Sequence, residues 1–305
     1  MDTDELRNLW DAAGGAGEPG PRGAGLLGWQ SPADPVELTG AALAALGLPL
    51  NGDPGWPGAV RMASQDYADW LPAPGAGFRG ADYGDVEVVD DDPAVAFMQA
   101  HERLADIVAA GASPLVLGCD ALVSVPVLQV LSGKLRGRLG VVAFTPAYEV
   151  APEPLYSAGS RWARALELGV LAPSNLVLVG GREAPPDVPA QAVLDELGAT
   201  AFSLRDVVRD GMRAVAQEAL EVAAAGTEAV YLSVDLGVAA VVGDPVGLQV
   251  RELVDGVQVV SAALLAASDI CGGSHPGAHA VAGGSAAVAA RVAAEIAAGV
   301  ARRLA

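Results

Sequence analysis

The chain has 305 residues, 52% of them apolar and only 5% aromatic, with 37 acidic against 18 basic residues and a formal charge of −19. That is enough apolar material for a sizeable core, and the acidity excludes the Lys and Arg stripes that nucleic acid or an anionic membrane surface would require. The strongest apolar run, 259–267, is too short to span a bilayer.

In chain order, residues 1–30 read as a flexible N-terminal segment, because 11–25 (AAGGAGEPGPRGAGL) are dense in Gly and Pro. Residues 31–305 read as one domain, with no internal repeat or second linker. The start, MDTDELRNLW, is acidic and polar and does not resemble a secretory signal. GDPGWPGAVR (52–61) reads as a Gly/Pro loop in which Trp56 either covers a pocket or packs the loop. DVEVV (85–89) predicts a strand, and 92–111 a helix capped by Asp92, begun by Pro93 and stopped by Gly111. The run DDD (90–92) suits the positive end of that helix dipole, and His101, between an alanine and Glu102, reads as a surface residue of the helix.

PLVLG (114–118) predicts a strand, 121–133 a helix, LGVVAF (139–144) a strand, and 160–169 a helix stopped by Gly169. NLVLVG (175–180) predicts a strand, 203–226 a long helix capped by Ser203, AVYLSVDL (229–236) a strand, 257–265 a strand, and 285–304 a closing helix. Strands alternating with helices of this length imply an α/β fold: three layers, α/β/α, with a central, mainly parallel sheet. Ligands of such sheets bind outside the carboxyl ends of the strands, so chemistry is sought there. Cys119 and Cys271 lie far apart with no CxxC or Cys/His spacing, which argues against a zinc site and fits a reduced, cytoplasmic protein.

The strand ends are GCDAL (118–122), TPAYEV (145–150), GGRE (180–183) and SVDLGVAAVVGDP (233–245), joined by the turn AGSRWARAL (158–166). Together they resemble the ureohydrolase superfamily of arginase, agmatinase, guanidinobutyrase and formimidoylglutamase. There the corresponding stretches run roughly GGDHS, FDAHxD, SxDxDxxDP and HGxxxRRAL. DYGDVEVV (82–89), PLVLGCD (114–120), GTEAVYLSVD (226–235) and AAVAARVAAEI (286–296) fall in family order, so the resemblance runs from about residue 46 to the end and implies an arginase-like fold.

The resemblance also implies two manganese ions, held by the His of GGDHS, the Asp, His and Asp of DAHxD, and the two Asp of SxDxD. Two hard cations need that many carboxylate and imidazole groups to bind and to activate a bridging water. Carried onto this chain, the positions are Ala121, then Thr145, Ala147 and Glu149, then Asp235 and Gly237. The later Asp of DxxDP falls at Ala240, the proton-shuttle His of arginases at Ala158, and the acidic group that grips the guanidinium near Ala266. Asp120 matches the family's own Asp in GGDHS and is expected to be structural. Asp235 keeps its residue and Glu149 keeps a carboxylate on a longer stem, which leaves no two-metal clamp; the resemblance is to a divergent member with no metal cofactor.

The retained polar groups have two readings each. Asp235, in a strand, either hydrogen-bonds to backbone or to Ser233, or acts as an acid or base in a drier pocket. Glu149 either faces Asp235 or turns to solvent. His275 and His279, in the Gly-rich stretch CGGSHPGAHAVAGG, are read as single pocket-facing groups rather than a metal pair. Arg161 either meets an anion or is structural, and Trp162 either lines the pocket or packs its helix. The charged positions have become small, and an emptied cavity suits a bulkier, less polar ligand.

The expectation is a metal-independent protein with catalytic candidates Asp235, Glu149 and His279, acting on a small organic molecule by acid–base or cyclisation chemistry in specialised biosynthesis. The pocket would be lined by Ala121, Thr145, Ala147, Gly237, Ala158, Arg161, Trp162 and His275. The alternatives are a non-catalytic homologue that binds a ligand or scaffolds a partner, and a residual C–N hydrolase with an atypical metal site. Expected partners are a small molecule and further copies of the chain, since the family forms homo-oligomers, with no nucleic acid and no membrane.

Overall fold

The computed structural model of the protein describes residues 25–71, 77–87, 93–148, 160–182, 190–239, 246–272 and 282–305. Its frame is a set of short apolar strands: Leu43–Leu48 (β1), Gly80–Asp85 (β2), Ser113–Gly118 (β3), Leu139–Phe144 (β4), Leu176–Gly181 (β5), Thr200–Ser203 (β6), Ala229–Asp235 (β7) and Leu265–Cys271 (β8). They form one sheet in the order β2-β1-β3-β8-β7-β4-β5-β6, and every pairing between them is parallel. The runs in β1, β4 and β5 are buried at every position. An unbroken apolar run is what a parallel strand needs when helices cover both its faces.

Helices Trp56–Ser64 (α1), Met212–Ala224 (α7), Val250–Val260 (α8) and Ala282–Leu304 (α9) pack on one face, with Val142, Phe144, Leu232 and Ile270 of the sheet. Helices Pro93–Ala109 (α2), Ser124–Ser132 (α3), Arg161–Glu167 (α4) and Ala190–Leu197 (α5) cover the other, over Val141, Ala143, Tyr231 and Ala267. Strand alternation thus splits the core into two layers, and the expected three-layer α/β/α architecture is what the chain forms.

Several element boundaries depart from the sequence reading. The expected strand 257–265 is instead the second half of α8, and the strand follows it. Buried Leu253, Gly256, Val257 and Val260 repeat at helical spacing, and the Glu252 carboxylate accepts the Gln249 N–H at 2.8 Å; this cap and face override the β preference of VQVV. Strand β2 shares only Asp85 with the expected strand 85–89, whose residues 88 and 89 lie outside the described residues, and within β2 the buried Asp82 accepts from the Arg61 guanidinium. The long helix expected over 203–226 is two helices, Leu204–Asp210 (α6) and α7, divided at Gly211, whose φ of 84° and ψ of 143° only glycine adopts without strain. Half of the expected loop 52–61 is the first turns of α1, with Pro57 at its start. Asp92 lies outside the described residues. Strands β1 and β6 carry no expectation at all from the sequence.

The packed domain reaches back to residue 25. Leu26 is fully buried, its N–H donates to Asp82 Oδ2 at 2.6 Å, and the Leu27 N–H donates to Ser64 Oγ at 2.7 Å. In the interior of the sheet, α7 meets β4 with no intervening side chain: a Cβ on Gly140 would fall 2.1 Å from the Ala223 carbonyl oxygen. Gly140→Ala is therefore expected to cost about 1–3 kcal/mol in urea unfolding, since backbone must move. Gly58→Ala in α1, where nothing lies within 4 Å of the added methyl, is expected to be neutral or stabilising by up to about 1 kcal/mol.

Candidate functional site

The strand order reverses at the middle of the sheet. β3 and β4 are consecutive in the chain yet separated by β8 and β7, and the carboxyl ends at such a reversal are where sheets of this kind form a ligand crevice. The site is assembled from what the strands carry there.

Alternation puts Tyr231, Ser233 and Asp235 of β7, Asp269 of β8 and Thr145, just past β4, on the face covered by α2–α5. Asp269 lies opposite Ser233 across the β7–β8 pair and is fully buried. A carboxylate in that position costs several kcal/mol unless it is paired and hydrogen-bonded. Ser233 Oγ donates to its Oδ1 at 2.9 Å, Ser124 Oγ donates to its Oδ2 at 2.7 Å, and the Tyr231 hydroxyl donates to the same Oδ2. Burial pushes the Asp269 carboxyl above the ordinary carboxylate range, and the nearby charge of Arg161, then the three hydroxyls, oppose that rise. Burial, reinforced by Asp269, holds the Tyr231 hydroxyl well above its usual pKa, so it stays protonated and donating.

Arg161, at the first position of α4, is also fully buried. Its Nη2 donates to Thr145 Oγ1 at 3.1 Å, and its Nη1 makes a long 3.5 Å contact with Ser233 Oγ. Thr145 in turn donates to the Ala147 carbonyl at 3.0 Å, closing the turn after β4. The Arg161 guanidinium lies 4.7 Å from the centre of the Trp162 ring. Trp162 is fully buried in the core layer beneath α4, so it packs its helix rather than lining an open pocket. Arg161 is likewise an interior residue, joined to Thr145 and Ser233.

Asp235 is half-buried at the end of β7, and its Oδ1 accepts the Gly237 N–H at 2.8 Å. Ser233, considered above as its partner, serves Asp269 instead. Asp120 has the structural role expected of it, accepting the Leu122 N–H at 2.7 Å and capping the turn that holds buried Ala121. Thr145 is fully buried, Gly237 half-buried and Ala147 exposed. Ala266 is the second residue of β8, at the far end of the strand from the crevice. That expected position is a correction, and it follows from having ended the strand at Leu265, where β8 in fact begins. Trp56 is buried, with Nε1 donating to Ser285 Oγ at 3.2 Å, and His101 is exposed. Glu149, Ala158, Ala240, His275 and His279 lie outside the described residues.

Further groups at the strand ends are not among the sequence candidates. Arg182, after β5, donates its N–H to the Pro146 carbonyl at 3.1 Å and its Nη2 to the Gly237 carbonyl at 3.2 Å, tying the ends of β5, β4 and β7 together. Cys119, after β3, donates its thiol to the Asp53 carbonyl at 3.2 Å. Burial, then the carboxylates of Asp53, Asp120 and Asp85, pushes that thiol up to about 12, so it is no thiolate nucleophile at neutral pH. A signal for Asp269 does exist in the sequence: it stands in LAASDIC among apolar neighbours, the same signal that drew attention to Asp235.

Tyr231→Phe tests the hydroxyl cradle. Removing one donor is expected to cost about 1–3 kcal/mol of stability at neutral pH. The sign of its pH dependence follows from linkage. With a donor gone, the folded-state pKa of Asp269 rises further above that of the unfolded chain, so the folded variant holds more protons. Its deficit should be smallest in acid and grow as pH rises through the folded pKa, as read from urea unfolding over a pH series.

Comparison with known proteins places this geometry. Residues 36–299 match the arginase-family model. An arginase of Brevibacillus brevis is 31% identical over 158 residues, 46% of this chain and 52% of that protein. A guanidinopropionase of Pseudomonas aeruginosa is 30% identical over 162 residues, 52% of this chain and 50% of that protein. The matched stretch thus spans about half the length of these relatives. Among solved structures, a hypothetical agmatinase from Burkholderia thailandensis superposes with a TM-score of 0.76 at 21% identity, over 92% of this chain and 91% of the other. A Trypanosoma cruzi formiminoglutamase with Mn2+ superposes with a TM-score of 0.75 at 18% identity, over 93% and 99%. At these identities the superpositions speak for the fold, and the family match over most of the chain speaks for descent: the chain belongs to the arginase family.

Proposed function

We propose that this arginase-family chain acts on a small organic molecule in the strand-end crevice without a pair of manganese ions, by acid–base or cyclisation chemistry within specialised biosynthesis. The observation that carries the reading is the Arg161 guanidinium, hydrogen-bonded to Thr145, the position the family resemblance gives to the first carboxylate ligand. A fixed positive charge there repels a divalent cation. The remaining donor set points the same way. Ala121, Ala147 and Gly237 have no side-chain oxygen or nitrogen, and Asp235 is the one carboxylate among the described ligand positions. These residues do not fit two hard cations, which take oxygen and nitrogen ligands from several side chains at once. No step of the proposed chemistry therefore runs through a metal.

In this reading Asp235 exchanges the proton. Its half-buried carboxylate, aimed by the Gly237 N–H, stands at the mouth of the crevice, with Glu149 and His279 as the further candidates from the sequence. A second reading is favoured by the same hydrogen bond: an aspartate closing a local turn has a structural duty of its own. In that case the chain holds a ligand or a partner without turning it over.

Metal analysis of the purified protein is expected to find well below one manganese per chain, with no urea released from arginine, agmatine or guanidinopropionate and no change on chelation. Two manganese per chain with urea release would overturn the proposal in favour of a hydrolase. Once a ligand is found by thermal-shift screening of small metabolites, Asp235→Asn separates the two readings. Loss of turnover by about 100-fold or more with binding retained supports chemistry at Asp235; binding with no turnover in either form supports the holding role.

A further inference from the structure

We infer that Arg161 is the resident cation of the strand-end site, a covalently attached charge in the position where the family resemblance puts a metal ion. The inference rests on the reading that the site holds no manganese pair, and it names what takes over the pair's structural duty. The guanidinium contacts Thr145 after β4 and Ser233 on β7, and Ser233 hands the connection on to Asp269 Oδ1 at 2.9 Å. One hydroxyl thus joins a buried cation to a buried carboxylate. All four residues are fully buried, so each charge would carry a desolvation cost of several kcal/mol without the other.

A bound divalent ion at the strand ends neutralises inward acid groups and fixes neighbouring strands to one another. Arg161 does both from α4, and it is not removed by a chelator. A guanidinium has no empty orbital for a water lone pair, so it does not generate a metal-type hydroxide. The site keeps its positive charge and loses the hydrolytic nucleophile. This is a positioning role: Arg161 holds Thr145 and Ser233, and touches no reacting atom.

The test is a double-mutant cycle on the full chain, with a metal titration beside it. Arg161→Met and Asp269→Asn should each lower the melting temperature by roughly 10 °C, the shift that follows from leaving one buried charge uncompensated. The double variant should recover at least half of the summed loss, and Arg161→Lys should retain most of the wild-type value. If Arg161→Met alone yields no folded protein, the double variant should still fold. Thr145→Asp should bind Mn2+ at least tenfold more tightly when combined with Arg161→Met than on its own, by titration calorimetry. Additive losses in the cycle, a double variant that does not fold, or equal Mn2+ binding with and without Arg161 would each overturn the inference. None of those results would bear on the metal content of the wild-type protein, so the reading beneath it stands or falls separately.

Discussion

The centre of this molecule is organised by the need to keep one carboxylate, Asp269, in the middle of a parallel sheet. Among the described residues its hydrogen-bond donors are hydroxyls, Tyr231 and Ser233 from the adjacent strand and Ser124 from α3, with the Arg161 guanidinium of α4 behind Ser233. A group in such surroundings is expensive to desolvate and equally expensive to leave half-paired. The elements that supply the partners are therefore fixed in relation to β8 as firmly as by any apolar contact. Helices α3 and α4 are held over this face by polar bonds at their starts and by Leu128, Trp162 and Ala165 deeper in the layer.

The strand ends inherit that rigidity. Thr145 is clasped from beneath by Arg161 and from above by its own turn, and Arg182 bridges Pro146 and Gly237. Preorganised groups of this kind are what an active site or a binding site requires, since the cost of ordering them is met at folding rather than at each encounter. Arginase-family descent accounts for the frame. What that frame does depends on the residues it carries at the strand ends, here Ala121, Thr145, Ala147 and Gly237, with buried Arg161 against Thr145.

The central strands are legible in the sequence because an apolar run bounded by Gly or a turn has few other uses, and β3, β4, β5 and β7 fall where such runs predict. The misreadings have physical causes. VQVV in α8 has β-branched residues on a helical face whose cap, Gln249, lies well upstream, and local propensity yields to the cap and the packing. β2, GADYGD, hardly looks like a strand because half of its inward positions serve hydrogen bonds rather than a core. Misplacing β8 also hid Asp269, since a carboxylate assigned to a loop raises no question. Arg161 is legible only as a member of a turn. Its burial depends on Thr145 and Ser233, 16 and 72 residues away, and on a sheet register that no local pattern contains.

The docking of residues 25–30 bears on the outer edge of the sheet. β2 is a terminal strand, and a terminal strand offers its unpaired amides to any passing chain. Here the Asp82 N–H is taken by the Gln30 carbonyl at 3.0 Å, and Gln30 forms a parallel bridge to Ala81. The segment is pinned in place by the Leu26 amide on the Asp82 carboxylate, which also clamps Arg61. The opposite edge, β6, is only four residues long and has little length to template anything. A short peptide at one rim and brevity at the other thus guard an otherwise sticky sheet against edge-to-edge self-association.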